Sequence, residues 1–244
     1  MNARLKFALV TVLAVAAMAA TVALGVWQLS RATEKQERQA AVERQSAKSP
    51  LDSAALRHAA DPLGLLHQRA RLRGSWVQGA TVYLENRPMD GRVGFLVLTP
   101  LLLEGGGAVV VQRGWTPRNF VDRTRLTPLD TPNGVVEVEG RMALPPSDLY
   151  APGGVGEGAI RQNLDLTQFR RETGLPLPAI TLQQTGASGD GLLRDWPALN
   201  FGVEKNIGYA LQWFALAGLI AVLYVWFQIV RRFIHRPKDP SRHV

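Results

Sequence analysis

Apolar positions crowd into two runs, 7–27 and 207–230, and between them the pattern turns polar, then alternating, then polar again. At about 1.5 Å per residue, runs of 21 and 24 residues extend roughly 31 and 36 Å, enough to cross a hydrocarbon layer of about 30 Å. The first run is longer than the core of a removable secretory signal, because Val22, Ala23, Leu24, Val26 and Trp27 continue past the small residues Ala17-Met18-Ala19. The pattern predicts a transmembrane hairpin: a tail at 1–6, a first span at 7–29, an extramembrane domain at 30–206, a second span at 207–230 and a basic tail at 231–244.

Residues 31–48 are polar and rich in helix formers, with no breaker after the first span, so the helix is expected to run on into water. Pro50, Pro62 and Gly64 punctuate a stretch with room for one brief helix. The period then becomes two. Strands are expected at 69–77, 81–86, 95–102, 108–112, 135–141, 159–164 and 180–184, with turns at Pro88-Met89-Asp90-Gly91 and Gly105-Gly106-Gly107, and one helix at 166–173. Two loops, 145–158 and 185–191, are rich in small and turn-forming residues. The fold class expected is an α+β membrane protein, a two-helix hairpin carrying an antiparallel β barrel- or sandwich-like domain.

The formal charge of +8 resembles a nucleic-acid footprint until it is placed along the chain. Arg4 and Lys6 contribute +2 and the C-terminal tail +4, which leaves +2 for the middle. No nucleic-acid partner is expected. Basic tails beside membrane spans predict that both termini are cytoplasmic and that the domain lies on the far side, in a bacterium the periplasm, with the inner membrane as host. The absence of cysteine excludes thiol redox chemistry and thiolate metal ligation by this chain alone. The four histidines, His58, His67, His235 and His243, have no metal-ligand spacing, and no nucleophile elbow or P-loop is present. Neither catalytic residues nor a metal site are expected.

Candidate binding residues gather where the spans end. Trp27 and Arg31 are four apart and share a helix face, an arrangement also found at any ordinary membrane edge. Asn206, Tyr209 and Trp213 form a stripe opening the second span. Antiparallel spans that start and stop at one boundary should place Trp27 and Gln28 at the depth of Gln212 and Trp213, where the two glutamines would bond each other or a shared ligand. Small residues, Ala17, Thr21 and Gly25 in one span and Ala210, Ala217 and Ala221 in the other, suit close helix contact. In the domain, Arg113 stands at a strand exit in Arg113-Gly114-Trp115, either to meet a carboxylate ligand or to form a structural ion pair.

Three pieces in this order resemble the Surfeit locus protein one family, assembly factors of haem–copper cytochrome oxidases: Leu24-Gly25-x-Trp27-Gln28-x-x-Arg31; Asn86-Arg87-Pro88 with Gly94-Phe95, Pro100 and Arg113-Gly114-Trp115; and Tyr209-Ala210-Leu211-Gln212-Trp213-Phe214. The resemblance implies a non-enzymatic role in maturing subunit I of cytochrome c oxidase, linked to haem a delivery or insertion, with subunit I, the haem a synthesis machinery and membrane lipid as partners. It implies haem a as a transient ligand; on depth and spacing, Trp27, Tyr209 and Trp213 would line its ring, Gln28 and Gln212 would bond each other or the ligand, and Arg31 or Arg113 would meet a propionate. Members often carry a histidine three residues before the tyrosine of the last span, the usual candidate for iron ligation; Asn206 stands there in this chain. An amide is a poor axial ligand compared with imidazole. The competing readings are a structural chaperone of subunit I that never touches haem and, with less support, a membrane-tethered periplasmic enzyme.

Overall fold

The structure is a computed structural model that describes residues 2–119, 121–122, 126, 128–146, 158–186 and 189–234. The chain forms two compact units, one made of residues up to 40 with those from 199 onward, the other of 41–198.

In the first unit, helix α1 (Ala3–Ser46) passes without interruption from the apolar run into the polar segment, as its lack of breakers requires. Helix α4 (Val203–Tyr224) starts after Gly202 in the left-handed conformation and continues through a π-helical stretch, Val225–Val230, into α5 (Arg231–Ile234). Both helices are long and apolar enough to cross a membrane. Along α1 from Phe7 to Gln28 the less exposed residues are Phe7, Thr11, Ala14, Met18, Thr21, Gly25 and Gln28. Their alternating spacing of four and three averages 3.5, the period of a left-handed coiled-coil seam. Val203, Asn206, Ala210, Trp213, Ala217 and Tyr224 repeat that rhythm on α4. Thr21, Gly25, Ala210 and Ala217 of the expected small-residue stripes are buried in this seam, whereas Ala17 is exposed. A strict four-residue step drifts about 40° per repeat, so Met18 takes the place that step would assign to Ala17.

The second unit opens with two short helical turns, α2 (Ser53–Arg57), capped by Asp52, and Pro62–Leu65, a 3-10 turn capped by Asp61. The strands are β1 (Arg69–Trp76), β2 (Val82–Met89), β3 (Arg92–Leu103), β4 (Ala108–Pro117), β5 (Val135–Ala143), β6 (Ile160–Arg161) and β7 (Thr181–Gln184). Helix α3 (Leu166–Thr173) is capped by Asp165, whose carboxylate accepts from the Thr167 and Gln168 backbones, and ends at Gly174. The sheet order β1-β5-β7-β4-β3-β2-β6, with a further β1–β3 pairing, closes a five-stranded ring of β1, β5, β7, β4 and β3. Closure needs Gly74, where a Cβ would stand 2.2 Å from the Leu102 carbonyl oxygen.

The barrel-like domain is as expected, but two pairings, β2 with β6 and β4 with β7, are parallel. α3 and its flanking loops carry the chain back between β6 and β7, which fixes the β7 direction. The strand expected at 159–164 shortens to Ile160–Arg161, and Pro88 and Met89 belong to β2, so the turn is Asp90-Gly91 alone. Residues 147–157 and 187–188, which fall in the two loose loops, lie outside the described residues.

β3 and β4 are buried along nearly their whole length because both faces are covered. Val109, Val111, Leu101 and Leu103 face the barrel interior with Leu72, Trp76, Met142, Ile180 and Leu182. Ala108, Val110, Leu96 and Leu98 face the other way, against Leu166 and Phe169 of α3 and Leu177.

Candidate functional site

Two polar contacts fix the register of the hairpin. Near one end the Thr11 and Tyr224 hydroxyls lie 2.9 Å apart, and Thr11 also donates back to the Phe7 carbonyl at 2.9 Å, so Tyr224 supplies the proton between them. At the domain-linked end, Asn206 donates its amide to Gln28 Oε1 at 2.7 Å and accepts from Lys35 Nζ at 2.7 Å. Between the two contacts Gly25 lies beneath the Phe214 ring, where a Cβ would come within 2.6 Å of an aromatic carbon.

This register corrects the expected depth. Gln28 is level with Asn206, and Gln212 lies six residues further along α4, about 9 Å deeper. Six residues turn a helix by about 240°, so Gln212 leaves the seam and is exposed, and the expected Gln28–Gln212 pairing gives way to Gln28–Asn206. Lys35, absent from the candidates, completes the polar chain. Its signal was present in the sequence: it stands seven residues from Gln28, one full seam repeat.

At about 100° per residue, Trp27 and Arg31 lie about 100° and 60° to one side of Gln28, and Tyr209 and Trp213 lie to one side of the α4 seam. Because the helices are antiparallel, those sides coincide, and the hairpin presents Trp27, Arg31, Tyr209 and Trp213 on a single face. Trp27 is 55% and Tyr209 54% exposed, and Trp213 is half-buried at the seam edge. Arg31 is held by Glu34 at 2.6 Å, an exposed pair that contributes little energy.

Arg113 behaves differently. It is the extra residue of a bulge in β4, since Val97 pairs with Gly114 and Leu98 with Gln112, and the bulge turns its side chain inward. It is 2% exposed and lies 4.5 Å over the Trp76 ring. It donates to Thr131 Oγ1 at 2.8 Å, to the Asp130 carbonyl at 2.7 Å and to Asp190 at 3.2 Å. Burial pulls its guanidinium below the usual value and Asp190 pulls it back up. The carboxylate it meets is the chain's own.

Of the neighbouring motif residues, Arg87, Gly94 and Trp115 are buried, whereas Asn86 and Pro88 are exposed. Asn86 takes a left-handed conformation where β2 shifts register, and Arg87 reaches back to the Gln162 carbonyl at 2.7 Å and Asn163 at 3.2 Å. Trp115 donates to the Arg87 carbonyl at 2.7 Å, and its ring lies so close to Gly94 that a Cβ there would stand 2.4 Å from it.

The profile of the SURF1 family matches residues 15–218. The chain belongs to the SURF1 family. SURF1-like proteins of Rickettsia conorii and Rickettsia felis are each 26% identical to it, over 220 and 214 residues, covering 87% and 85% of this chain and 88% and 91% of the relatives. One from Rickettsia bellii is 25% identical over 210 residues, 83% of this chain and 84% of the relative. Membership in the SURF1 family supports a role in cytochrome oxidase assembly, and the two apolar helices support a membrane protein.

The residues fit haem a in part. Exposed Trp27 and Tyr209 with Arg31 suit a flat aromatic ring bearing carboxylates. Iron ligation does not fit. The amide of Asn206 is engaged on both sides, and no histidine stands in α1 or α4.

Proposed function

We propose that this chain is a non-enzymatic assembly factor for haem–copper cytochrome c oxidase, anchored in the cytoplasmic membrane with both termini inside and its domain in the periplasm. In this reading it assists insertion of haem a into subunit I at the domain-linked end of the hairpin, receiving the group from the haem a synthesis machinery. The observation that carries the reading is the exposed face of Trp27, Arg31 and Tyr209 beside a seam whose polar groups satisfy one another. The face offers aromatic surface and a cation at the membrane edge without offering a ligand to iron. The orientation rests on the basic residues that flank both spans.

The engaged amide of Asn206 favours a second reading, in which the hairpin holds subunit I through helix contacts and never touches haem. The two separate cleanly. Removing the chain should lower cytochrome oxidase activity in either case. Under the first reading, protein purified from cells making haem a carries a Soret band that Trp27→Ala with Tyr209→Ala removes. Active protein without such a band establishes the second, and undiminished oxidase activity in cells lacking the chain refutes both.

A further inference from the structure

On the outer face of the barrel, β1 and β5 pair three charged positions in succession: Arg73 opposite Glu137, Arg71 opposite Glu139 and Arg69 opposite Arg141. The first two are opposite-charge matches, and Arg71 closes on Glu139 at 2.6 Å. The third sets two guanidinium groups directly across an antiparallel pair, an arrangement that costs stability unless something lies between them. Among the described residues neither arginine meets a carboxylate. Arg69 donates to the Ser46 carbonyl at 3.1 Å and Arg141 to Gln183 Oε1 at 2.7 Å. These neutral oxygens fix the side chains and leave their charge uncancelled.

Both arginines line one cleft of about 480 Å³, walled on its apolar side by Pro50, Trp196 and Pro197. Arg71, Arg194, Glu139 and Asp195 also line it, giving a lining charge of +2. Arg71 is engaged by Glu139, and Arg194 by Asp190 at 2.6 Å. Arg69 and Arg141 are thus the two lining arginines that no carboxylate engages among the described residues, and Asp195 is the remaining lining acid. The field of Arg141 is felt nearby: His67 is held below its usual value first by burial and then by Arg141.

We propose that this cleft binds a phosphate group, clamped between Arg69 and Arg141. A phosphate dianion matches the lining charge of +2, and two guanidinium forks grip it through charge-assisted hydrogen bonds. The group belongs to a free phosphate or to a phosphomonoester lipid headgroup. The inference is independent of the oxidase reading and survives its failure.

The test is titration of the detergent-solubilised full chain with inorganic phosphate and with short-chain phosphatidic acid, followed by calorimetry and by the His67 imidazole resonance. Binding should raise the His67 pKa as the Arg141 charge is cancelled. Arg69→Gln and Arg141→Gln should each weaken binding about tenfold or more, while Arg73→Gln leaves it unchanged. Without ligand both cleft variants should melt no lower than the parent, because each relieves a like-charge pair. Phosphatidic acid binding at least tenfold tighter than phosphate assigns the lipid source, and comparable affinity assigns the free anion. No binding of either probe, succinate competing as well as phosphate, or variants that melt lower yet bind normally would overturn the proposal.

Discussion

The domain and the hairpin both carry residues that match the SURF1 pattern, and they use them in opposite ways. In the domain, Arg87, Arg113 and Trp115 turn inward, and each donates to oxygens of the chain itself. In the hairpin, Trp27 and Tyr209 remain more than half exposed and Arg31 pairs with Glu34 one turn along. Removing a guanidinium from water demands internal partners, so the domain arginines are explained by the fold they stabilise. An aromatic pair left outward at the end of a membrane span has no such internal explanation, and the search for a partner begins there.

The comparison is broken most severely at Arg113. Arg113→Ala should cost about 3 kcal/mol in chemical denaturation of the solubilised chain, because Asp190 and the Asp130 carbonyl lose a buried donor. Trp27→Ala should cost less than about 0.5 kcal/mol in the same measurement. Equal losses would show that the exposed face is as structural as the buried cluster. Within the hairpin, Gly25→Leu should force α1 from the Phe214 ring. The chain has no cysteine, so Met18→Cys with Ala217→Cys reports the seam by cross-linking; Gly25→Leu should lower the yield several-fold and Phe214→Ala restore much of it.

A smaller effect is expected at Asn206. Asn206→Ala removes both polar contacts and should destabilise the helix pair by about 1 kcal/mol, read from reversible unfolding in micelles. The smallest concerns acid. The Arg161 guanidinium at 2.7 Å, with Gln168, holds the Glu172 carboxyl below its usual 4.5. Its contribution is complete above pH 4.5 and is lost as pH falls through the lower folded value, so Glu172→Gln should flatten stability against pH in that window and leave the hairpin untouched.

Much of this organisation was legible in the chain. Alternation located β1, β5 and β7 to within two residues, and the helix expected at 166–173 is α3, because these signals are local. The closure of β1 on β3 and the parallel seating of β7 were not legible, since they depend on which distant edges meet. The inward turn of Arg113 follows from a bulge that one strand alone cannot display. At the hairpin, the exposed aromatic residues followed from spacing, but the partner of Gln28 did not. Equal boundaries suggested one level for Gln28 and Gln212, whereas the seam period selects Asn206.

The two polar contacts along the seam have a mechanical consequence. Thr11 and Gln28 are 17 residues apart, so the contacts lie about 26 Å from each other, close to the thickness of the hydrocarbon layer. A piston stroke of one helix past the other would have to break both together. The pair is latched near both ends like a drawer bolted front and back, so its exposed aromatic face keeps its shape.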